Sequence, residues 1–144
     1  KRRIAMKPIK IYRIEDENGR GMYRSGEAPG CVQEMQPFDI DAKKEHHPTP
    51  RNDERLWEKV KDAGLCESSF FAMFNKQAED YYFGFSSIKQ LRSWVYKKKW
   101  REELAMSKLR LVVYYATDYL RGDTQIMFRR NLQEREIISW KTIA

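Results

Sequence analysis

The chain has 144 residues, of which 41% are hydrophobic and 34% charged, and its formal net charge is +7. This length is typical of one domain, and an aromatic content of 13% excludes a disordered chain. No window approaches 18 consecutive apolar residues, and two cysteines cannot form a disulfide scaffold. We therefore expect a cytoplasmic protein without a membrane partner.

The basic residues form two patches. Residues 1–13 carry six basic and no acidic side chains, and residues 87–110 hold eight basic against two acidic. We expect residues 1–7 to form a basic arm, in part a cloning remnant because Met6 resembles a natural start, and residues 8–144 to form one domain. In the second patch, Lys98 and Lys99 are candidate polyanion-binding residues, the alternative being a solvated helix face.

The first half of the chain predicts a strand, a loop and a helix. Apolar and polar residues alternate over 8–13, as in a half-buried strand. The turn-rich stretch 15–30 follows, and a long loop of this kind on a rigid scaffold often shapes a site. Thr49 before a proline predicts a helix over 50–63, with Thr49 as its N-cap and Gly64 as its stop.

The second half predicts more strand than helix. Residues 81–85 are aromatic apart from one glycine and predict a strand. Ser87 and Gln90 form a capping box, which predicts a helix over 88–104. Further strands are predicted at 109–115, 124–130 and 137–140, with a turn at 121–123. The expected fold is α+β: a single compact domain with a twisted, mostly antiparallel sheet and two or three helices.

Single residues with catalytic chemistry narrow the function only slightly. His46 and His47 are adjacent, so their side chains diverge, and the cysteines lack zinc-ligand spacing; no metal cofactor is expected. His47, on a proline-bounded loop, is a candidate ligand-binding residue or proton carrier, the alternative being a histidine without a special role. Common hydrolase, nucleoside-triphosphatase and dehydrogenase motifs are absent from the sequence.

The aromatic strand is a candidate ligand platform. Alternation places Tyr81, Phe83 and Phe85 on one face, with Tyr82 and Gly84 on the other. Such aromatic side chains can stack bases, the alternative being a face of the core. The glycine would let a flat ligand approach the backbone.

Three blocks of the chain resemble the layout of the ADP-ribosyltransferase fold. They are Ile11-Tyr12-Arg13 on a first strand, Phe83-Gly84-Phe85-Ser86-Ser87 leading into a helix, and Thr124-Gln125-Ile126 on a late strand. The resemblance implies that NAD or a related nucleotide binds in a cleft, with candidate ligand-binding residues Tyr12, Arg13, Phe83, Phe85 and Ser86. In such a cleft Arg13 would contact the ribose or phosphate of NAD, and Ser86 would orient the nicotinamide ribose.

Gln125 stands where that family has its catalytic glutamate. The family's carboxylate accepts a hydrogen bond from the ribose and stabilises an oxocarbenium-like state by its charge. Gln125 keeps the hydrogen bond without the charge, so the resemblance predicts a nucleotide-binding protein that is degenerate as an enzyme, and catalysis stays open.

A second resemblance is to small proteins encoded by bacteriophages, carried by residues 47–53 and by the Gly-Phe-Ser-Ser start of the 88–104 helix. It implies a location in the host cytoplasm. The alternative function is a non-enzymatic binding or inhibitor protein that docks its basic helix on nucleic acid or on an acidic host protein.

Overall fold

The computed structural model of the chain describes residues 7–35, 53–68, 73–74 and 76–144. Its helices are α1 (Cys31–Glu34), α2 (Glu54–Asp62), α3 (Ile88–Trp94) and α4 (Lys98–Ala105). Its strands are β1 (Ile9–Glu15), β2 (Cys66–Ser68), β3 (Met73–Phe74), β4 (Tyr81–Gly84), β5 (Arg110–Ala116), β6 (Tyr119–Arg121), β7 (Ile126–Arg129) and β8 (Glu136–Ile138). Short 3-10 helices lie at Lys76–Asp80, Leu132–Glu134 and Trp140–Ile143.

Two three-stranded antiparallel sheets form the centre of the domain. The first has the order β1-β5-β8 and the second the order β4-β7-β6. An antiparallel bridge between Tyr12 of β1 and Phe85, just after β4, joins them through two backbone hydrogen bonds of 2.8 Å. The predicted α+β class with antiparallel pairing is confirmed.

Apolar side chains fill three layers around these sheets. One face of β1 and β5 packs on β7 through a cluster that includes Ile11, Val112, Tyr114, Ile126 and Phe128. The opposite face packs on α3 and α4 through residues that include Ile14, Leu91, Trp94, Leu104 and Leu111. The outer face of β7 packs on α2 through residues that include Leu56, Val60, Leu120 and Met127. The alternation of side chains along each strand therefore separates the cores.

The predicted continuous helix over 88–104 is wrong, because α3 ends at Trp94 and α4 begins at Lys98. The guanidinium of Arg101 explains the break. It donates to the carbonyl oxygens of Val95 and Tyr96, at 2.9 and 3.0 Å. A side chain thus satisfies carbonyl groups that a continuous helix would have paired within its own backbone.

The two ends of the 88–104 region match the prediction, except that the reciprocal hydrogen bond of the capping box comes from the N–H of Ser86 and not from that of the N-cap Ser87. Ser87 caps α3 by accepting a hydrogen bond from the backbone N–H of Gln90 at 3.1 Å, and the side chain of Gln90 accepts from the N–H of Ser86 at 2.9 Å. In α4, Trp100 and Leu104 are buried. Lys98 and Lys99 are exposed, as the spacing predicts.

The N-cap of α2 is Asp53 and not the predicted Thr49, which lies outside the described residues together with His47 and the basic arm up to residue 6. The carboxylate of Asp53 accepts a hydrogen bond from the N–H of Leu56 at 3.1 Å, so the helix begins at Glu54 and not at residue 50. Its end matches the prediction, because Gly64 follows with a φ of +72°.

The late strands differ in extent from those predicted. The predicted strand over 124–130 is shorter, Ile126–Arg129, because the turn after residue 121 continues through Gln125. A strand that was not predicted, Tyr119–Arg121, forms the other arm of this hairpin. The predicted tail strand is present as Glu136–Ile138 and pairs with β5.

Candidate functional site

A groove of about 840 Å³ opens beside the junction of the two sheets. Its walls come from β1, β4, the start and end of β7, and the loop that follows β1. This volume lies in the range of small-molecule sites, which are concave and mostly lined by apolar and aromatic side chains with a few polar groups. The glycine-bearing loop after β1 therefore helps to shape a concave surface, as the sequence predicts.

Four of the predicted site residues lie together in this groove: Arg13, Phe83, Phe85 and Gln125. Two others, Tyr12 and Ser86, are not among its lining residues. The ring of Tyr12 packs against the cluster under α3 and α4, with the amine of Lys10 at 5.2 Å. Ser86 lies at the start of α3, where its backbone N–H is bonded to the side chain of Gln90.

Arg13 is held from three sides. Its Nε donates to Glu15 at 2.8 Å and its Nη1 donates to the carbonyl of Phe83 at 2.6 Å, while Nη2 has only a long contact of 3.5 Å to the carbonyl of Gly19. Burial lowers the pKa of Arg13, the carboxylate of Glu15 raises it, and the neighbouring Arg130 lowers it. A guanidinium still stays charged at neutral pH.

A buried carboxylate organises the arginines behind the groove. Glu15 has no exposed surface and accepts from Arg13 and Arg130 on one oxygen, and from Arg135 and the hydroxyl of Tyr114 on the other. We call these five residues the Glu15 cluster. The cluster contains three guanidinium groups, and all of them share the single carboxylate of Glu15. Two of the three positive charges are therefore not balanced by a carboxylate within the described part of the chain.

Arg130 lies flat against an aromatic ring. Its Cζ is 3.7 Å from the ring centroid of Tyr82, and its Nη1 donates to the carbonyl of Gly19 at 2.6 Å. Gly19 has a φ of +83°, and a Cβ there would lie 2.9 Å from Nη2 of Arg130. Both the backbone conformation and the close approach therefore require glycine at this position.

Asp16 fixes the loop that bears this glycine. Its carboxylate accepts from the N–H groups of Asn18 and Arg20, each at 2.9 Å, and from the hydroxyl of Ser25 at 2.7 Å. Burial acts to raise the pKa of Asp16, but these hydrogen bonds outweigh it and lower the pKa. The loop directs the exposed side chains of Arg20 and Arg24 to the rim of the groove.

The opposite wall contains Gln125, whose side chain is only 2% exposed. Its Nε2 has no hydrogen-bond partner among the described residues. The backbone of Gln125 is fixed because its N–H and that of Thr124 donate to the carboxylate of Asp53, at 3.3 and 2.7 Å. A buried amide donor without a partner among the described residues thus belongs to a residue of the groove wall, and Asp53 fixes the backbone that carries it.

The predicted role of Gly84 is wrong. A Cβ at Gly84 would lie 2.7 Å from the side chain of Ile11 and 2.8 Å from the carbonyl oxygen of Tyr12. The space beside this glycine is therefore filled by β1, and the glycine serves the contact between strands and not the approach of a ligand.

Other chemistry is limited in the described residues. They contain no group of three or more histidine, cysteine or acidic side chains that could hold a metal ion. Burial, together with Glu103, raises the pKa of the Cys31 thiol to about 12, so this thiol is not a nucleophile at neutral pH. None of their helices is long and apolar enough to cross a membrane.

Fold and site together define an α+β protein with a cationic, aromatic groove at a sheet junction. The family model of the bacteriophage T4 Y00F protein matches residues 6–141, and the chain therefore belongs to this family. The predicted resemblance to phage-encoded proteins is confirmed. No curated protein and no solved structure matches, and the ADP-ribosyltransferase resemblance receives no support from the comparisons.

Proposed function

We propose that this phage-family protein binds NAD or a related nucleotide in the groove, in the cytoplasm of the infected host. The observation that carries the proposal is the meeting of surplus positive charge and aromatic walls in one concave surface. A guanidinium group binds two phosphate oxygens at once through two parallel N–H groups, and aromatic rings stack on bases. Among the described residues, the lining contains five basic side chains and one acidic side chain, Glu79.

The proposal is one of binding and not of group transfer. The resemblance to the ADP-ribosyltransferase fold would place Gln125 at the catalytic position. Its carboxamide cannot supply the negative charge that stabilises an oxocarbenium-like state. Its unpartnered Nε2 is buried, and a rotation of the side chain toward the groove would let it donate a hydrogen bond to a bound ligand. Phe83 and Phe85 line the same groove, with Phe83 partly exposed and Phe85 largely buried.

The test is a thermal-shift and calorimetric screen with NAD, ADP-ribose, AMP and ATP. A ligand that binds only the folded state raises the melting temperature, and the rise grows with the logarithm of the ligand concentration relative to its Kd. The double variant Arg20→Glu with Arg24→Glu reverses two exposed charges at the rim, and we expect it to bind about tenfold more weakly at low salt.

The charge-matched control is the double variant Lys98→Glu with Lys99→Glu, because it also reverses two exposed charges and lies outside the groove. We expect its affinity to equal that of the parent. A screen in which no nucleotide raises the melting temperature, or in which the rim variant binds as well as the control, would refute the proposal.

A second candidate function rests on the basic surface of α3 and α4. The exposed cations there are Lys89, Arg92, Lys97, Lys98 and Lys99, and none forms an ion pair within the described part of the chain. Such a surface suits nucleic acid or an acidic host protein.

The double variant Lys98→Glu with Lys99→Glu should then lose binding to short DNA at low salt while its melting temperature and its nucleotide affinity stay unchanged. Unchanged DNA binding in this variant would make the patch a solvated helix face.

A further inference from the structure

The charge balance of the Glu15 cluster indicates which part of a nucleotide the groove recognises. Buried charges in proteins are normally paired, because transfer of an unpaired ion out of water is costly. Here one carboxylate serves three guanidinium groups, and the side chains of Arg13 and Arg130 are each only 11% exposed. An anion beside these two arginines would complete the pairing.

The surplus charge faces the groove. Arg13 and Arg130 both line it, whereas Arg135 does not and instead donates to the carbonyl groups of Asp16 and Glu17 behind it, at 3.2 and 2.7 Å. Arg130 uses only Nη1 in its hydrogen bonds to described residues, and Nη2 of Arg13 has only its contact of 3.5 Å. Both arginines therefore retain donor capacity on the groove side.

Two glycines lie directly against these nitrogen atoms. A Cβ at Gly19 would lie 2.9 Å from Nη2 of Arg130, and a Cβ at Gly21 would lie 3.0 Å from Nη2 of Arg13. Both glycines line the groove. A side chain at either position would press on the guanidinium group beside it, so the loop can lie this close to the two arginines only because it has glycine at both positions.

We propose that Arg13 and Arg130 form a subsite for a dianionic phosphate monoester. A terminal phosphate carries nearly two negative charges at neutral pH, whereas a diester or a pyrophosphate bridge carries one on each phosphate. The two uncompensated positive charges of the Glu15 cluster match the charge of a terminal phosphate. The inference rests on the nucleotide binding proposed above and specifies its ligand as a nucleoside 5′-monophosphate or the 5′-phosphorylated end of a nucleic acid.

Calorimetric titration with adenosine, AMP, 3′,5′-cyclic AMP and NAD tests the subsite. We expect AMP to bind at least about tenfold more tightly than cyclic AMP and NAD, because the monoester makes additional charge-assisted hydrogen bonds. Inorganic phosphate should compete with AMP but not with adenosine.

A 5′-phosphorylated trinucleotide and its 5′-hydroxyl form distinguish the two sources of the phosphate monoester. If the phosphorylated trinucleotide binds more tightly than AMP, the ligand is a nucleic acid end. If AMP binds more tightly, the ligand is a mononucleotide.

Variants locate the effect. Arg130→Gln should abolish the preference for AMP over cyclic AMP, and Arg130→Lys should restore part of it. Arg135→Gln removes one guanidinium of the same cluster outside the groove, and it should reduce the preference less than Arg130→Gln does, because it lowers the surplus charge without removing a donor on the groove side. Gly21→Val removes no charge and has no positive φ to strain, yet it should weaken AMP binding by pressing on the guanidinium group of Arg13; this variant tests the subsite even if Arg130→Gln does not fold.

The outcomes separate the two proposals. Equal affinities of AMP and cyclic AMP for the parent protein would overturn the monoester subsite and leave nucleotide binding intact. A preference for AMP that survives in both Arg130→Gln and Gly21→Val would place the phosphate elsewhere and overturn it as well. Binding of none of the compounds would refute the proposed function itself.

Discussion

Two buried carboxylates, Glu15 and Asp53, are stabilised in opposite ways. Glu15 is surrounded by charged side chains, since three guanidinium groups and one hydroxyl donate to it. Asp53 is surrounded by dipoles, since four backbone N–H groups and the hydroxyl of Thr124 donate to it, at 2.7 to 3.3 Å. Both side chains are at most 2% exposed.

The two sites differ in the net charge that remains when each carboxylate is counted together with its donors. The donors around Asp53 carry no net charge, so the carboxylate keeps its own negative charge, and this site connects α2 to the turn before β7 outside the lining of the groove. The donors around Glu15 exceed its charge, so the same kind of burial leaves a positive surface that faces the groove. A buried acid can therefore serve either structure alone or structure and ligand binding, depending on whether backbone amides or arginines surround it.

Replacing Glu15 gives the largest expected effect on stability. Glu15→Gln keeps the shape of the side chain but leaves three buried guanidinium groups without a counter-ion. We expect a loss of about 4 kcal/mol in the free energy of unfolding, measured by urea denaturation. The exposed Glu17→Gln in the same loop should change it by less than about 0.5 kcal/mol. A loss below about 1 kcal/mol for Glu15→Gln would mean that the arginines do not depend on this carboxylate.

Asp53→Asn should have a smaller effect that depends on pH. The hydrogen bonds from the backbone N–H groups of Thr124, Asp123 and Leu56 outweigh burial and hold the pKa of Asp53 below its usual value. Its stabilisation is therefore present above the unfolded-state pKa of about 4 and is lost as the pH falls through the lower folded-state pKa. We expect the variant to be less stable by about 2 kcal/mol at pH 7.

The pH dependence distinguishes this prediction from a simple steric defect. The difference in unfolding free energy between parent and Asp53→Asn should narrow below about pH 4, because the parent becomes protonated and loses its advantage. Asp62→Asn, at the exposed end of α2, should show no such narrowing. A constant difference from pH 7 down to pH 2.5 would contradict the ionic role assigned to Asp53.

Ser87 offers the neutral counterpart of Asp53, because it caps α3 with a hydroxyl. Ser87→Ala should reduce the free energy of unfolding by about 1 kcal/mol, and this loss should be the same at pH 4 and pH 7. The comparison variant is Ser93→Ala, whose hydroxyl only donates to the carbonyl of Gln90 on the exposed face. If the two variants were equally stable in urea, the capping hydrogen bond of Ser87 would contribute nothing measurable.

Local patterns predict the strands and one helix start well. The alternation over 8–13 and 109–115 is found in β1 and β5, because each strand separates two apolar cores. The capping box of Ser87 and Gln90 involves neighbours in sequence, so it can be recognised without the fold.

Long-range polar contacts could not be predicted from these patterns. Arg101 donates to the carbonyl groups of Val95 and Tyr96 at the break between α3 and α4, and nothing in the apolar spacing of 88–104 indicates this. Asp53 has the residue type of an N-cap, but most of its donors come from residues about 70 positions later.

Only part of the candidate site could be predicted from the sequence, because some of its contacts join residues that are far apart in the chain. Arg13, Phe83, Phe85 and Gln125 lie in the groove, as the blocks that contain them suggest. Arg130 and Tyr82 were missed, because the stacking of Arg130 on Tyr82 and its ion pair with Glu15 join residues far apart in the chain. The one available signal was a buried strand that ends in a glutamate, which requires basic partners elsewhere in the sequence.

The separation of Glu15 from its partners has a consequence for synthesis on the ribosome. Arg130 and Arg135 follow Glu15 by 115 and 120 residues, and β1 pairs with a strand that begins at Arg110. Closing such large loops is slow compared with local pairing, and the chain emerges from its N-terminus. The first strand therefore stays without its partner until most of the protein has been made, and the groove can form only at the end of translation. A chain truncated before Arg130 would retain β5 but lack two of the three arginines that neutralise Glu15.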